Sequence, residues 1–144
     1  MLKVQFYDQV EDEKLKFAVI LARKEGKWIF CKHKERDTYE IPGGHREPGE
    51  EIWETARREL REETGAVEFE LKQICVYSVT GKTRVNEDPK EENFGMLFLA
   101  EVHSFEELHS EMEKIILTDR LTYPWTYPEI QPKLMEEAGR GGYL

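Results

Sequence analysis

The sequence predicts an α+β domain, a mixed β-sheet with helices packed against it. Short runs rich in β-branched and aromatic residues recur along the chain. One stretch between them is dense in strong helix formers and free of Gly and Pro, and a second helical pattern follows the last strand. At 144 residues one hydrophobic core is expected, so residues 1–144 read as a single domain.

Residues 16–23 (KFAVILAR) and 27–32 (KWIFCK) read as strands joined through Lys24-Glu25-Gly26 in a hairpin. Residues 38–41 lead into Pro42-Gly43-Gly44 and then Pro48-Gly49, a loop that turns repeatedly before regular structure resumes. Residues 50–64 (EEIWETARRELREET) form a helix, and Gly65 stands where a left-handed cap would end it. Residues 68–79 begin with alternation and finish in a continuous apolar run, as a strand entering a sheet interior does. A polar loop over 80–93 (TGKTRVNEDPKEEN) is about as long as loops become unless functional or mobile. Residues 94–102 (FGMLFLAEV) form a buried strand, 105–109 a short helical turn, 114–117 a short strand, and 128–138 a terminal helix despite Pro132. The chain has no internal repeat and no low-complexity tract.

Charged residues make up 35% of the chain, above the usual ~25%, yet 7 Phe, 6 Tyr and 3 Trp remain to fill a core, which excludes disorder for most of it. The net charge of −9 would repel a polyanion, so binding of duplex nucleic acid is disfavoured. The longest apolar runs, 17–22 and 95–100, fall far short of the roughly 20 residues that cross a bilayer. MLKVQFYDQV has no apolar stretch after a basic one, so it does not read as a secretory signal, and a cytoplasmic location is the default expectation. Cys31 and Cys75 lie in apolar, strand-like stretches and read as reduced core thiols. His33, His45, His103 and His109 show no ligand spacing.

At about 100° per residue, the helix over 50–64 puts Ile52, Ala56 and Leu60 on one stripe, with Trp53 on its flank. Glu63 falls within about 20° of Ile52, Glu59 about as far to the other side, and Glu62 some 60° further out. Two carboxylates on an inward stripe need a cation or donors, because burying one without them costs several kcal/mol. Arg57, Arg58 and Arg61 offer ion pairs, and Glu54, Arg58 and Glu62 form an i, i+4 row, so a salt-bridged surface helix accounts for part of the pattern. The Gly-Gly segment ahead of it would expose carbonyls beside the carboxylates, an oxygen-rich arrangement suited to Mg²⁺ or Mn²⁺.

Gly44, five residues, Glu50, seven residues, Arg58-Glu59-Leu60, Arg61, Glu62-Glu63, Thr64 and Gly65 resemble the Nudix box, here residues 44–66. Its final position, normally Ile, Leu or Val, is Ala66, a smaller plug whose packing Val67 is expected to take over. The resemblance implies a Nudix-type α/β/α sandwich with a mixed β-sheet. It also implies Mg²⁺-dependent hydrolysis, with Mn²⁺ as a possible substitute, of a nucleoside diphosphate linked to another moiety. The segment HKERDTYEIPGG resembles MutT-like enzymes, which favours a nucleoside triphosphate split to monophosphate and pyrophosphate. Dinucleoside polyphosphates, nucleotide sugars, RNA 5′ triphosphate ends and a non-catalytic binding domain remain the alternatives. By the same resemblance Glu59 and Glu63 are the principal metal ligands, assisted by Glu62 and the Gly43 carbonyl. Arg58 holds a glutamate in place, and Glu50 supports the loop–helix geometry or a second metal.

Many Nudix members add an acidic residue from outside the box, for which Glu111, Glu113 and Glu101 are candidates. Trp28, Tyr39 and Trp125 could stack on a nucleobase, and Arg23, Lys32, Arg46, Lys82 and Arg84 could meet phosphates. The expected partner is a small-molecule nucleotide, with the oligomeric state open.

Overall fold

The computed structural model describes residues 2–81, 90–107, 112–119, 121 and 124–141. Its elements are β1 (Lys3–Tyr7), a 3₁₀ turn (Asp12–Lys14), β2 (Leu15–Lys24), β3 (Lys27–His33), β4 (Gly43–His45), α1 (Ile52–Thr64), β5 (Ala66–Thr80), β6 (Glu92–Phe105), β7 (Met112–Thr118) and α2 (Gln131–Arg140). The strands form one seven-stranded sheet in the order β1-β5-β6-β2-β3-β7, with β4 pairing β2 off that path. Every strand pair is antiparallel except β2 with β6, so the sheet is mixed. On one face Ile52, Ala56 and Leu60 of α1 join Ala18, Ile20 and Phe98 in a buried cluster. On the other, Leu134 and Ala138 of α2 join Val19, Leu21 and Leu97. The result is the expected α+β sandwich, a helix on each side of a mixed sheet. Among the described residues no helix is long and apolar enough to cross a membrane.

The hairpin between β2 and β3 turns on Glu25 and Gly26, both at positive φ (53° and 81°), the two-residue geometry whose twist matches that of the strands. Immediately after the turn β2 and β3 part. They pair only at Arg23–Trp28 and Lys24–Lys27, and residues 40–45 fill the opening. There Glu40 bridges Cys31, Pro42 accepts a bond from the Ile20 N–H (2.8 Å), and Gly43 and Gly44 pair with Val19 and Ala18. Gly43-Gly44, expected as part of a turning loop, is therefore strand. Composition pointed to a turn because glycine favours turns, whereas glycine serves close approach here: a Cβ on Gly43 would lie 2.6 Å from the Ala18 carbonyl oxygen.

Other boundaries shift for local reasons. Glu50 and Glu51 precede α1; Glu51 is extended (φ −79°, ψ 153°) and its N–H donates to Glu54 Oε1 (3.0 Å), so the helix begins at Ile52. Gly65 is the left-handed cap (φ 79°) expected of it, and a Cβ there would collide with the Glu106 carbonyl. Ala66 is fully buried whereas Val67 is 39% exposed, so Val67 does not take over the packing: alternation along β5 turns it outward. Phe105, expected in a helical turn, ends β6; residues 108 and 109 lie outside the described residues. Pro132 is in the first turn of α2, where its missing N–H costs nothing, so the helix starts at Gln131 rather than at Pro128. The strand β1, too short and too mixed in polarity to show a clear alternation, pairs along β5 from Lys3–Thr80 to Tyr7–Val76. Cys31 is buried and Cys75 half-buried, both free thiols.

Candidate active site

The inward stripe of α1 is as its periodicity requires: Ile52, Thr55, Ala56, Leu60 and Thr64 are buried. Glu59 and Glu63 lie at the edge of that stripe, half-buried, while Glu62 is exposed. Arg58 organises the group. Its Nε donates to Glu50 Oε2 (2.8 Å), its Nη1 to Glu59 Oε1 (2.7 Å), and its Nη2 to Glu50 Oε1 (3.1 Å) and to the His45 carbonyl (2.9 Å). Glu62 approaches the same guanidinium at 3.5 Å. Thr55 Oγ1 adds a bond to Glu50 Oε1 (2.7 Å). One cation thus fastens the loop before the helix, the end of β4 and two box glutamates, as a planar five-donor fork can.

Glu63 is held differently, its Oε1 accepting the Gly43 N–H at 2.7 Å. Gly44 touches the other carboxylate: a Cβ built on it would lie 2.5 Å from Glu59 Oε1 and 2.6 Å from Oε2. Gly44→Ala is therefore expected to push Glu59 off its Arg58 bond and lower turnover at least tenfold, with a small change in melting temperature. Steady-state kinetics beside a thermal melt checks this. Turnover unaffected by the added methyl would mean that the position of Glu59 is immaterial.

The electrostatics divide Glu50 from Glu59 and Glu63. Hydrogen bonds from Arg58 pull Glu50 down to about 2, helped by Thr55, and in return hold the Arg58 guanidinium firmly protonated. Burial pushes Glu59 up, and Arg58 only partly opposes it. Burial pushes Glu63 well above the usual carboxylate range; the Gly43 N–H lowers it, and Glu59, Glu40 and Glu62 raise it further. Burial and mutual repulsion therefore disfavour the charged forms of Glu59 and Glu63, which sit beside strand backbone and lack a full set of compensating partners. This donor set fits a hard divalent cation: oxygen only, mutually repelling until a cation arrives. Among the described residues no group of three His, Cys, Asp or Glu side chains is placed to hold a metal ion, so any cation here would rest on the carboxylates of Glu59 and Glu63 with water and backbone oxygen.

The NUDIX domain family matches over residues 12–137. The chain belongs to the Nudix family. Among its relatives is YtkD of Bacillus subtilis (strain 168), provisionally named an 8-oxo-dGTP diphosphatase, 40% identical over 84 residues. That match covers 58% of this chain and only 52% of YtkD, about half the relative's length. NudI of Escherichia coli (strain K12), named a nucleoside triphosphatase, is 29% identical over 116 residues, 76% of this chain and 79% of NudI. The crystal structure of the Bacillus subtilis pyrophosphohydrolase BsRppH superposes with a TM-score of 0.77 at 25% identity, covering 99% of this chain and 92% of the other. Family and named relatives together indicate a pyrophosphohydrolase.

Against this Nudix frame, the sequence candidates outside the box fare unevenly. Glu111 and the side chain of Glu113 lie outside the described residues, as do Lys82, Arg84 and His109. Glu101 is not gathered into the cluster: it pairs with Arg23, four positions along β2 from the Val19–Gly43 pair, about 13 Å at strand spacing. The acidic residue that the structure adds is Glu40, buried, bonded by Arg36 Nη1 at 3.1 Å and close enough to raise Glu63. Strand alternation in TYEIPGG, with Tyr39 and Ile41 in the α2-side core, could have placed Glu40 on the α1 side.

The aromatic candidates are used elsewhere. Arg23 stacks over Trp28 (5.5 Å), Trp125 meets Phe30 edge-on (5.4 Å), and Tyr39 is in the core. Arg46 is committed to Asp12, Leu15 and Glu50, which makes it a bolt for the box loop. Lys32 lies on β3 opposite Lys114. A cavity of about 170 Å³ opens instead on the α2 side of Gly43 and Gly44, with Phe17, Tyr77, Asn93, Tyr127, Ile130 and Leu134 in its lining and Lys16 at its edge. These residues come from four separated stretches of chain.

Proposed function

We propose that this Nudix protein is a Mg²⁺-dependent pyrophosphohydrolase that splits a nucleoside triphosphate into the monophosphate and pyrophosphate, acting in the cytoplasm on a freely diffusing nucleotide. The observation that carries the reading is the junction at Gly43-Gly44. On one side are Glu59 and Glu63, on the other a mostly apolar, aromatic-lined cavity with a few polar groups. A base seated among Phe17, Tyr77 and Tyr127 would extend its phosphates past the two glycines, which carry no side chain to block them. Lys16, whose Nζ bonds Asn93 Oδ1 (3.1 Å) and Glu91 Oε1 (3.2 Å), offers a charge at the rim. The names of YtkD and NudI accord with such a substrate, and the free thiols accord with a reducing compartment.

Glu59, Glu62 and Glu63 would hold the ion, with Gly43 supplying a backbone oxygen. Arg58 fixes Glu59 and Glu50, and the Gly43 N–H fixes Glu63, so the donors are oriented before substrate arrives. A divalent cation bound there shields phosphoryl oxygens and lowers the pKa of attacking water. The chain has no GxxxxGK[ST] loop to cradle β- and γ-phosphates for terminal transfer, which favours attack at an internal phosphorus. A nucleotide panel run with Mg²⁺ in ¹⁸O-water tests the reading. Label in the monophosphate marks attack at the α-phosphorus, and label in pyrophosphate marks attack at the β-phosphorus. Labelled orthophosphate as the sole labelled product, or undiminished hydrolysis in EDTA, would refute it.

A further inference from the structure

Gln131 opens α2, is 5% exposed, and uses both ends of its amide on a single distant residue. The Ile41 N–H donates to its Oε1 at 2.8 Å, and its Nε2 donates to the Ile41 carbonyl at 3.4 Å. This is the bonding of a strand neighbour, supplied by a side chain. Along an extended segment successive residues turn their N–H and C=O to opposite edges. Glu40 turns both groups to Cys31 of β3 (2.9 Å each), while Tyr39 turns its pair the other way, to the Pro124 carbonyl (2.9 Å) and the Thr126 N–H (2.8 Å). Ile41 faces the same edge as Tyr39. By then the chain that began the bridge at Pro124 and Thr126 has turned into α2, and the Gln131 amide continues the bridge in place of backbone.

We propose that Gln131 is a positioning residue that locks the wall of the cavity to the segment leading into Gly43 and Gly44 of β4. Two residues beyond Ile41, the Gly43 N–H holds Glu63. On the other side of the latch, Tyr127, Ile130 and Leu134 form the cavity wall. One side chain therefore sets the spacing between where a base sits and where the carboxylates point. Without it, the buried N–H and C=O of Ile41 lose their partners and the wall can shift against the strand. Its kinetic consequence rests on the function proposed above, whereas the latch itself does not.

Amide hydrogen exchange on the full chain reads the latch directly. In the unaltered protein the Ile41 amide is expected to be protected to the level of β2 amides; exchange at open-loop rates would overturn the proposal. In Gln131→Met, similar in length and without polar atoms, Ile41 protection should fall at least a hundredfold. Gln131→Glu, which keeps the acceptor of the 2.8 Å bond, should retain most of it, and equal protection in all three proteins would overturn the proposal. Well below the melting temperature, KM for GTP and for ATP should rise by the same factor, tenfold or more, in Gln131→Met, with partial recovery in Gln131→Glu. Ile29→Ala, a core change on the α1 side, should lower the melting temperature without moving KM. An unchanged KM in Gln131→Met, or a rise confined to one base, would show a structural or base-reading role instead.

Discussion

Glu63→Gln is expected to lower turnover by about 10³-fold, some 4 kcal/mol of barrier, while the melting temperature measured in EDTA rises. The two effects share a cause. Burial, together with Glu59, Glu40 and Glu62, holds the folded-state pKa of Glu63 above its unfolded value. A carboxyl shifted that way favours the fold fully below the unfolded pKa, and that contribution is lost as pH rises through the folded one. In EDTA at neutral pH, ionising the buried Glu63 thus costs stability that a neutral amide restores, with little change in volume and with an oxygen still able to accept the Gly43 N–H. The stability gap between variant and parent should widen from about pH 5 upward in EDTA. Mg²⁺ should narrow it by raising the parent's melting temperature as a binding isotherm. Near-parental turnover of the variant at saturating Mg²⁺ would remove Glu63 from the ligand set.

Arg58→Gln should act oppositely on stability, lowering it by about 3 kcal/mol, or roughly 10 °C in melting temperature, because it leaves nearly buried carboxylates without their cation. Glu50 and Glu59 are only 13% and 12% exposed, so water replaces little of what the guanidinium supplied. The sign with pH also reverses. Arg58 depresses Glu50 to about 2 from an ordinary 4.5, so its contribution is present above pH 4.5 and disappears as pH falls toward 2. Melts across that interval should show the gap between Arg58→Gln and the parent closing. Arg58→Lys should recover only part of the loss, since an ammonium cannot reach Glu50, Glu59 and the His45 carbonyl together. A gap independent of pH would mean that Arg58 acts through packing alone.

What sequence periodicity could express, it expressed well. Ile52, Ala56 and Leu60 had to face a core, so Glu59 and Glu63 had to approach it, and Gly65 had to end the helix. These are local statements, fixed by 3.6 residues per turn and one missing Cβ. The strand character of Gly43-Gly44 was not local: it arises because β3 leaves β2 after two residue pairs and opens a slot between them. Nor was the cavity legible, since Phe17, Tyr77, Asn93 and Tyr127 meet only when four stretches of chain converge. Trp28, Tyr39 and Trp125 have the chemistry to stack on a base, but packing claims them because large aromatic surfaces are worth more in the core. Alternation in TYEIPGG gives the face of Glu40, whereas its approach to Glu63 is encoded by no spacing along the chain.

The parallel joint between β2 and β6 also governs how the chain reaches this state. The hairpin of β2 and β3, helix α1, and the hairpin of β5 and β6 are each made of near neighbours in sequence and can form early. Pairing β2 with β6 must wait, because all of β3, β4, α1 and β5 intervenes, and closing so large a loop pays its entropy before any contact repays it. During synthesis the apolar run of β2, Ala18 to Ala22, therefore emerges well before the strand that will cover its edge. Until β6 arrives, that open edge can pair with another nascent copy as readily as with its own partner. The rate of correct assembly should thus depend on the β5–β6 hairpin, and substitutions that slow its formation should reduce yield from cells more than they reduce equilibrium stability.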